Sequence, residues 1–189
     1  MKPPFIYSSA FLIAFLIAVF GIAWRINPNY PRLILAGESS VATWVSGMLL
    51  VMCGTFSLVL ANRSKSLPWL SAATFFFVLA VDERFMIHEY IKQRLMFGNS
   101  SSSTLVYELP VIGGALVGSV MSFLLWRNLS RGARLLLLGA VILGTVSVVI
   151  DIMDAGVIME EVAKILAEVM ITIALLSKIS AENISKPLG

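Results

Sequence analysis

Cysteine and histidine are nearly missing from the sequence, which holds one of each, Cys53 and His88. A lone cysteine forms no internal disulfide, no CxxC redox pair, no thiolate zinc site and no iron–sulfur cluster. A lone histidine excludes bis-histidine haem, the histidine-rich desaturase centre and multi-histidine copper sites. Any metal bound here rests mainly on carboxylates. Charge is scarce as well, at 13% of 189 residues, against roughly 25% in an average soluble domain. The net charge of +3 is scattered over short loops with no run of five basic residues. That distribution argues against a nucleic-acid partner.

Apolar residues dominate, at 58% of the chain, with a mean hydropathy of +0.90. A soluble core cannot hide so much apolar surface at this length. A bilayer acting as solvent removes the difficulty. Six stretches are long enough to cross roughly 30 Å of hydrocarbon. They run from Phe5 to Trp24, Val41 to Ala61, Leu67 to Tyr90, Thr104 to Trp126, Ala133 to Met153 and Val157 to Ser177. The first follows a weakly basic start, Lys2, and has no small-residue cleavage site before Arg25, so it reads as a retained anchor. The connections are short, and no linker divides the chain. The expected fold class is therefore all-α, a polytopic transmembrane bundle forming one integral domain over residues 1–189. Gly113, Gly114 and Gly118 on the fourth span, and Gly139 and Gly144 on the fifth, suit close helix packing. The expected partners are membrane lipids, with homo-oligomerisation left open.

Charge orients the bundle. With six spans, one side holds Lys2, Arg63, Lys65, Arg127, Arg131, Arg134, Lys178 and Lys186. The other holds Arg25, Arg32, Arg84, Lys92, Arg94 and Lys164. The positive-inside rule places the first group, and both termini, in the cytoplasm of a bacterial inner membrane. The acids are far more lopsided. Of eleven, Glu182 alone falls on the cytoplasmic side. Glu38, Asp82, Glu83, Glu89, Glu108, Asp151, Asp154, Glu160, Glu161 and Glu168 share the outer half.

The densest acidic segments are Asp82-Glu83-Arg84-Phe85-Met86-Ile87-His88-Glu89 and Glu160-Glu161-x-x-Lys164-x-x-x-Glu168. On a continuous helix Asp82 and Glu89 face one way. Glu168 lies about 16 Å into the sixth span, near the bilayer midplane. An ionisable group at that depth is a functional candidate by default. Lys164, at i+3 from Glu161 and i−4 from Glu168, is placed to pair with either.

One imidazole among several carboxylates suits a divalent cation. Asp82, His88, Glu89, Asp154 and Glu161 are the expected ligands, with the metal's identity open. If the protein is an enzyme, metal-assisted hydrolysis at lipid level fits best, with Glu161 or Glu89 as general base. Arg84 and Lys164 would then neutralise charge or orient an anion. Two other readings stay open. One is a cation- or proton-coupled carrier in which Glu168 titrates. The other is a non-catalytic membrane subunit held together by buried ion pairs.

The segment Asp82-Glu83-x-Phe85-x-x-His88-Glu89 resembles a pattern in small uncharacterised bacterial multi-pass membrane proteins. Those proteins also carry a later Glu-Glu-x-x-Lys. The resemblance covers the chain from the third span onward and implies a shared fold, with no activity attached. Glu160-Glu161-x-x-Lys164 is similar to the first motif of PrsW-type glutamate intramembrane proteases. In that family two histidine-bearing helices follow. Here no histidine follows His88, so the likeness stops at Glu160, Glu161 and Lys164.

Overall fold

The computed structural model describes residues 4–26, 34, 40–98, 109–153 and 156–185. Among these it contains seven helices: α1 Pro4–Ile26, α2 Val41–Ser64, α3 Leu67–Phe85, α4 Ile87–Gly98, α5 Leu109–Trp126, α6 Arg131–Ile152 and α7 Val157–Ser185. Four of them, α1, α2, α5 and α6, are long and apolar enough to cross a membrane. α3 and α7 carry too much charge to meet that standard alone. Asp82, Glu83 and Arg84 lie in the last turn of α3, and Glu160, Glu161, Lys164 and Glu168 lie in the first half of α7.

Local chemistry sets the helix ends. Ser40 caps α2 by accepting a hydrogen bond from the Thr43 amide at 3.1 Å. Ser130 caps α6 through Ala133 at 3.4 Å. Pro68 sits in the first turn of α3, where its missing N–H costs nothing. α2 turns into α3 through Lys65, which adopts the left-handed conformation at φ 51°. α6 turns towards α7 beside Gly156 at φ 137°, a backbone angle that suits glycine.

α2 and α3 form one tightly packed hairpin, and α6 and α7 form another. α2 lies against α7 and joins them. α1 flanks α7, and α5 bridges α3 and α6. The principal core contains Cys53, Leu60, Trp69, Phe76, Leu137 and Leu175, so all four central helices contribute. α2 approaches α3 closely at Gly54, where an added Cβ would lie 2.9 Å from the Phe77 ring. Such approach lets helices pack without a hydrophobic driving force.

The third apolar stretch does not continue as one helix to Tyr90. It ends at Phe85, and α4 begins two residues later. Met86 forces the break by adopting the left-handed region at φ 50°, at a cost of roughly 1–2 kcal/mol. Its amide donates to the Asp82 carbonyl at 2.6 Å. The Asp82 carboxylate then accepts from the His88 amide at 2.8 Å, capping α4 from outside. α4 has 12 residues, too few to span a bilayer.

Candidate functional site

The acidic ends of α3, α6 and α7 meet at one end of the bundle, with α4 beside them. Asp82 and Glu83 are neighbours in sequence but serve different partners. Asp82 Oδ2 lies 2.8 Å from His88 Nδ1, and His88 Nε2 lies 3.5 Å from Glu89. Lys92, only 3% exposed, continues the chain. Its Nζ is 3.3 Å from Glu89 and 3.4 Å from Asp151. This network ties α3, α4 and α6 together. A largely apolar cleft lined by Phe75, Val78, Gly114 and Val117 opens beside Asp82 and His88.

Glu83 turns to α7 instead. Lys164 Nζ donates to Glu83 and to Glu161, each at 2.8 Å. One ammonium thus joins two carboxylates from two helices. Glu161 is buried, and its second oxygen, Oε2, has no hydrogen-bond partner. Deeper on the same face of α7 lies Glu168, 6% exposed. Its Oε1 accepts from Ser46 of α2 at 2.7 Å, while its Oε2 is buried with no partner. One turn further, Thr172 Oγ1 lies 3.2 Å from Cys53 Sγ and also donates to the Glu168 carbonyl at 2.8 Å. Further along α2, the Ser57 hydroxyl is fully buried and unpartnered.

His88 lies on α4, outside the helices long and apolar enough to cross a membrane. The Asp82 carboxylate beside its ring, helped by Glu89, holds its pKa above the usual imidazole value, against the opposing effects of burial and Lys92. A histidine bound more tightly as its cation stabilises the fold fully at pH below the ordinary imidazole value. That contribution is lost as pH rises through the raised value. Thermal stability in detergent is therefore expected to fall as pH rises above the ordinary imidazole value. His88→Gln should flatten the fall. An unchanged pH profile in the variant would remove the ion pair as its cause.

Of the five expected ligands, Asp82, His88 and Glu89 come together in one chain of contacts, and Glu161 belongs to the other, on Lys164. Asp154 lies outside the described residues. The expectation of one shared pocket thus resolves into two networks that part at the Asp82–Glu83 peptide bond. Among the described residues no three His, Cys, Asp or Glu side chains form a metal-ligating group. Of the two expected general bases, Glu161 is engaged by Lys164, and Glu89 lies between His88 and Lys92. Glu168 takes its hydrogen bond from Ser46 rather than from Lys164. Arg84 is exposed.

Sequence reasoning missed Ser46, Cys53, Ser57 and Thr172 as a group. Their signal was present. Thr43, Ser46, Cys53 and Ser57 recur at helical spacing in an apolar stretch, opposite Glu161, Lys164, Glu168 and Thr172 on α7. Two such stripes satisfy each other when the helices pack face to face.

No curated protein and no solved structure matches the sequence. Residues 9–179, nearly the whole helical bundle just described, match the family described as domain of unknown function DUF8692, and the chain belongs to that family.

Proposed function

We propose that this protein is a six-span inner-membrane protein, with both termini cytoplasmic, that carries protons or couples their movement to a cation through Glu168. α3 and α7 complete the six spans, since each packs against other helices and Glu83, Glu161, Lys164 and Glu168 on them are buried or paired with one another. The excess of lysine and arginine in the loops at the opposite end supports the orientation.

The observation that carries this reading is the state of Glu168. It is buried at mid-depth, it holds one hydroxyl partner, and its other oxygen is unpartnered. The nearest lysine on its own helix is engaged by Glu83 and Glu161. Burying a carboxylate without a counter-charge costs several kcal/mol. Protonation removes most of that cost, and deprotonation is the event that disturbs the α2–α7 contact. A group in that position couples a proton to a change in helix packing.

A metal-dependent hydrolase draws less support. A carboxylate engaged by lysine offers less to a divalent cation, and a general base needs a free lone pair near its substrate.

Reconstitution in liposomes with an internal pH dye tests the reading. Under an imposed membrane potential the intact protein should admit protons. Glu168→Gln, which keeps the shape and removes the titratable group, should fall to the rate of empty liposomes. Glu168→Asp should retain part of the flux. A Gln variant with full flux overturns the proposal.

A further inference from the structure

The Asp82–His88 pair stands at the head of an apolar space. α3, α4 and α5 border a cleft of about 810 Å³, within the roughly 300–1,000 Å³ of small-molecule sites. Among the described residues, Asp82 and His88 are the only ionisable side chains that line it. Thr74 also lines it, and its hydroxyl donates to the Leu70 carbonyl of its own helix. From Asp82 back to Thr74 is eight positions of α3, about 12 Å. The cleft therefore has a charged head and a long apolar body. The rings of Phe75 and Phe77 line that body, and aromatic faces attract cations. Gly114 of α5 also lines the cleft, and a Cβ added there would meet nothing within 4 Å.

Charge decides what fits the head. His88 lies between Asp82 of α3 and Glu89 of its own helix. Lys92 is held between Glu89 and Asp151 of α6. α5 has no charged residue over Leu109–Trp126. Glu83 turns away to Lys164, and Arg84 is exposed. The carboxylates of Asp82, Glu89 and Asp151 thus outnumber the bases His88 and Lys92. The head is net negative whether or not His88 is protonated, so it repels an anion. A hydrated inorganic ion would have to shed water against apolar walls that offer it nothing in return.

We propose that this cleft binds an organic cation with an apolar body, its charge held at Asp82 and its body lying along Phe75 and Gly114. The ligand competes with one proton on His88. A cationic imidazole neutralises Asp82 and weakens the attraction. A neutral imidazole still donates Nδ1–H to Asp82 and leaves the carboxylate charge for the ligand. Binding therefore favours breaking the His88 Nε2–H bond, and the proton passes to water. The cleft lies apart from Glu168 and is read by binding alone, so it stands or falls independently of proton flux.

Tetraphenylphosphonium is the probe, in equilibrium dialysis against the full-length protein in nonionic detergent. One ion should bind per chain, and the affinity should rise by about tenfold as pH climbs through the titration of His88. Tetraphenylborate, of the same shape and opposite charge, should not displace it. His88→Gln should bind the phosphonium equally across that pH range. Asp82→Asn should weaken binding by about tenfold or more. Because Asp82 also caps α4, Gly114→Leu supplies a variant that leaves every ion pair in place. It should block binding, and Gly114→Ala should keep it. Full binding in a folded Gly114→Leu variant overturns the proposal, even if Asp82→Asn fails to fold. Equal displacement by the borate overturns it, and so does an affinity that falls as pH rises. Displacement by phosphatidylethanolamine and not by phosphatidylglycerol would assign the head to a lipid ammonium and overturn the free cation.

Discussion

Lys164→Met is expected to destabilise the folded chain by about 3–5 kcal/mol, the cost of leaving buried charge without its partner. Lys164 bridges Glu83 of α3 and Glu161 of α7, and the side chains of those two acids are only 14% and 10% exposed. Removing the ammonium leaves two carboxylates facing each other in a poorly solvated space. Unfolding in mixed micelles, followed by circular dichroism, measures the loss. Combining Lys164→Met with Glu83→Gln and Glu161→Gln removes all three charges and should recover most of it. A Lys164→Met protein as stable as the parent would mean that the triad is hydrated and contributes nothing.

The second large effect is expected at the opposite end. Trp69 is 1% exposed and belongs to the core cluster that also holds Leu60, Leu129, Ala133 and Leu175. It thus sits where α2, α3, α6 and α7 converge. Trp69→Ala opens a cavity that these neighbours fill only partly, and about 3–5 kcal/mol should be lost. Trp69→Phe, which keeps an aromatic ring there, should lose much less. The same melting experiment reads both variants. Equal stability of Ala and Phe at this position would show that the four helices are held elsewhere.

The all-helical architecture was legible because that part of the problem is one-dimensional. Length and hydropathy alone identify α1, α2, α5 and α6. The bounds of α2 and α6 lie within three residues of the apolar stretches that predict them. The break at Met86 was harder to see. No glycine or proline marks it, and a methionine in the left-handed region has no sequence signature. It became visible only once Asp82 was found capping the helix that follows.

The candidate site was legible in inventory and not in partnership. The crowding of acids at one end could be read from the charge count. Which acid meets which base depends on helix rotation, and hydropathy does not fix rotation. Lys164 was placed equally well for Glu161 and Glu168 by spacing alone. The neighbouring Glu83 on α3 decided the matter, because it draws the lysine towards the acidic end of the bundle. Glu168 was then left to Ser46 of α2, a partner that spacing along α7 does not identify.

Asp82 and Glu83 point two adjoining side chains at separate helices, one towards α4 and the other towards α7. One residue inserted or deleted between Trp69 and Asp82 would turn that end of α3 by about 100° and break both attachments together. Thirteen positions separate the tryptophan that anchors one end of this helix from the acid that anchors the other. That interval works as a fixed ruler, and a change in its length would misdirect both attachments at once.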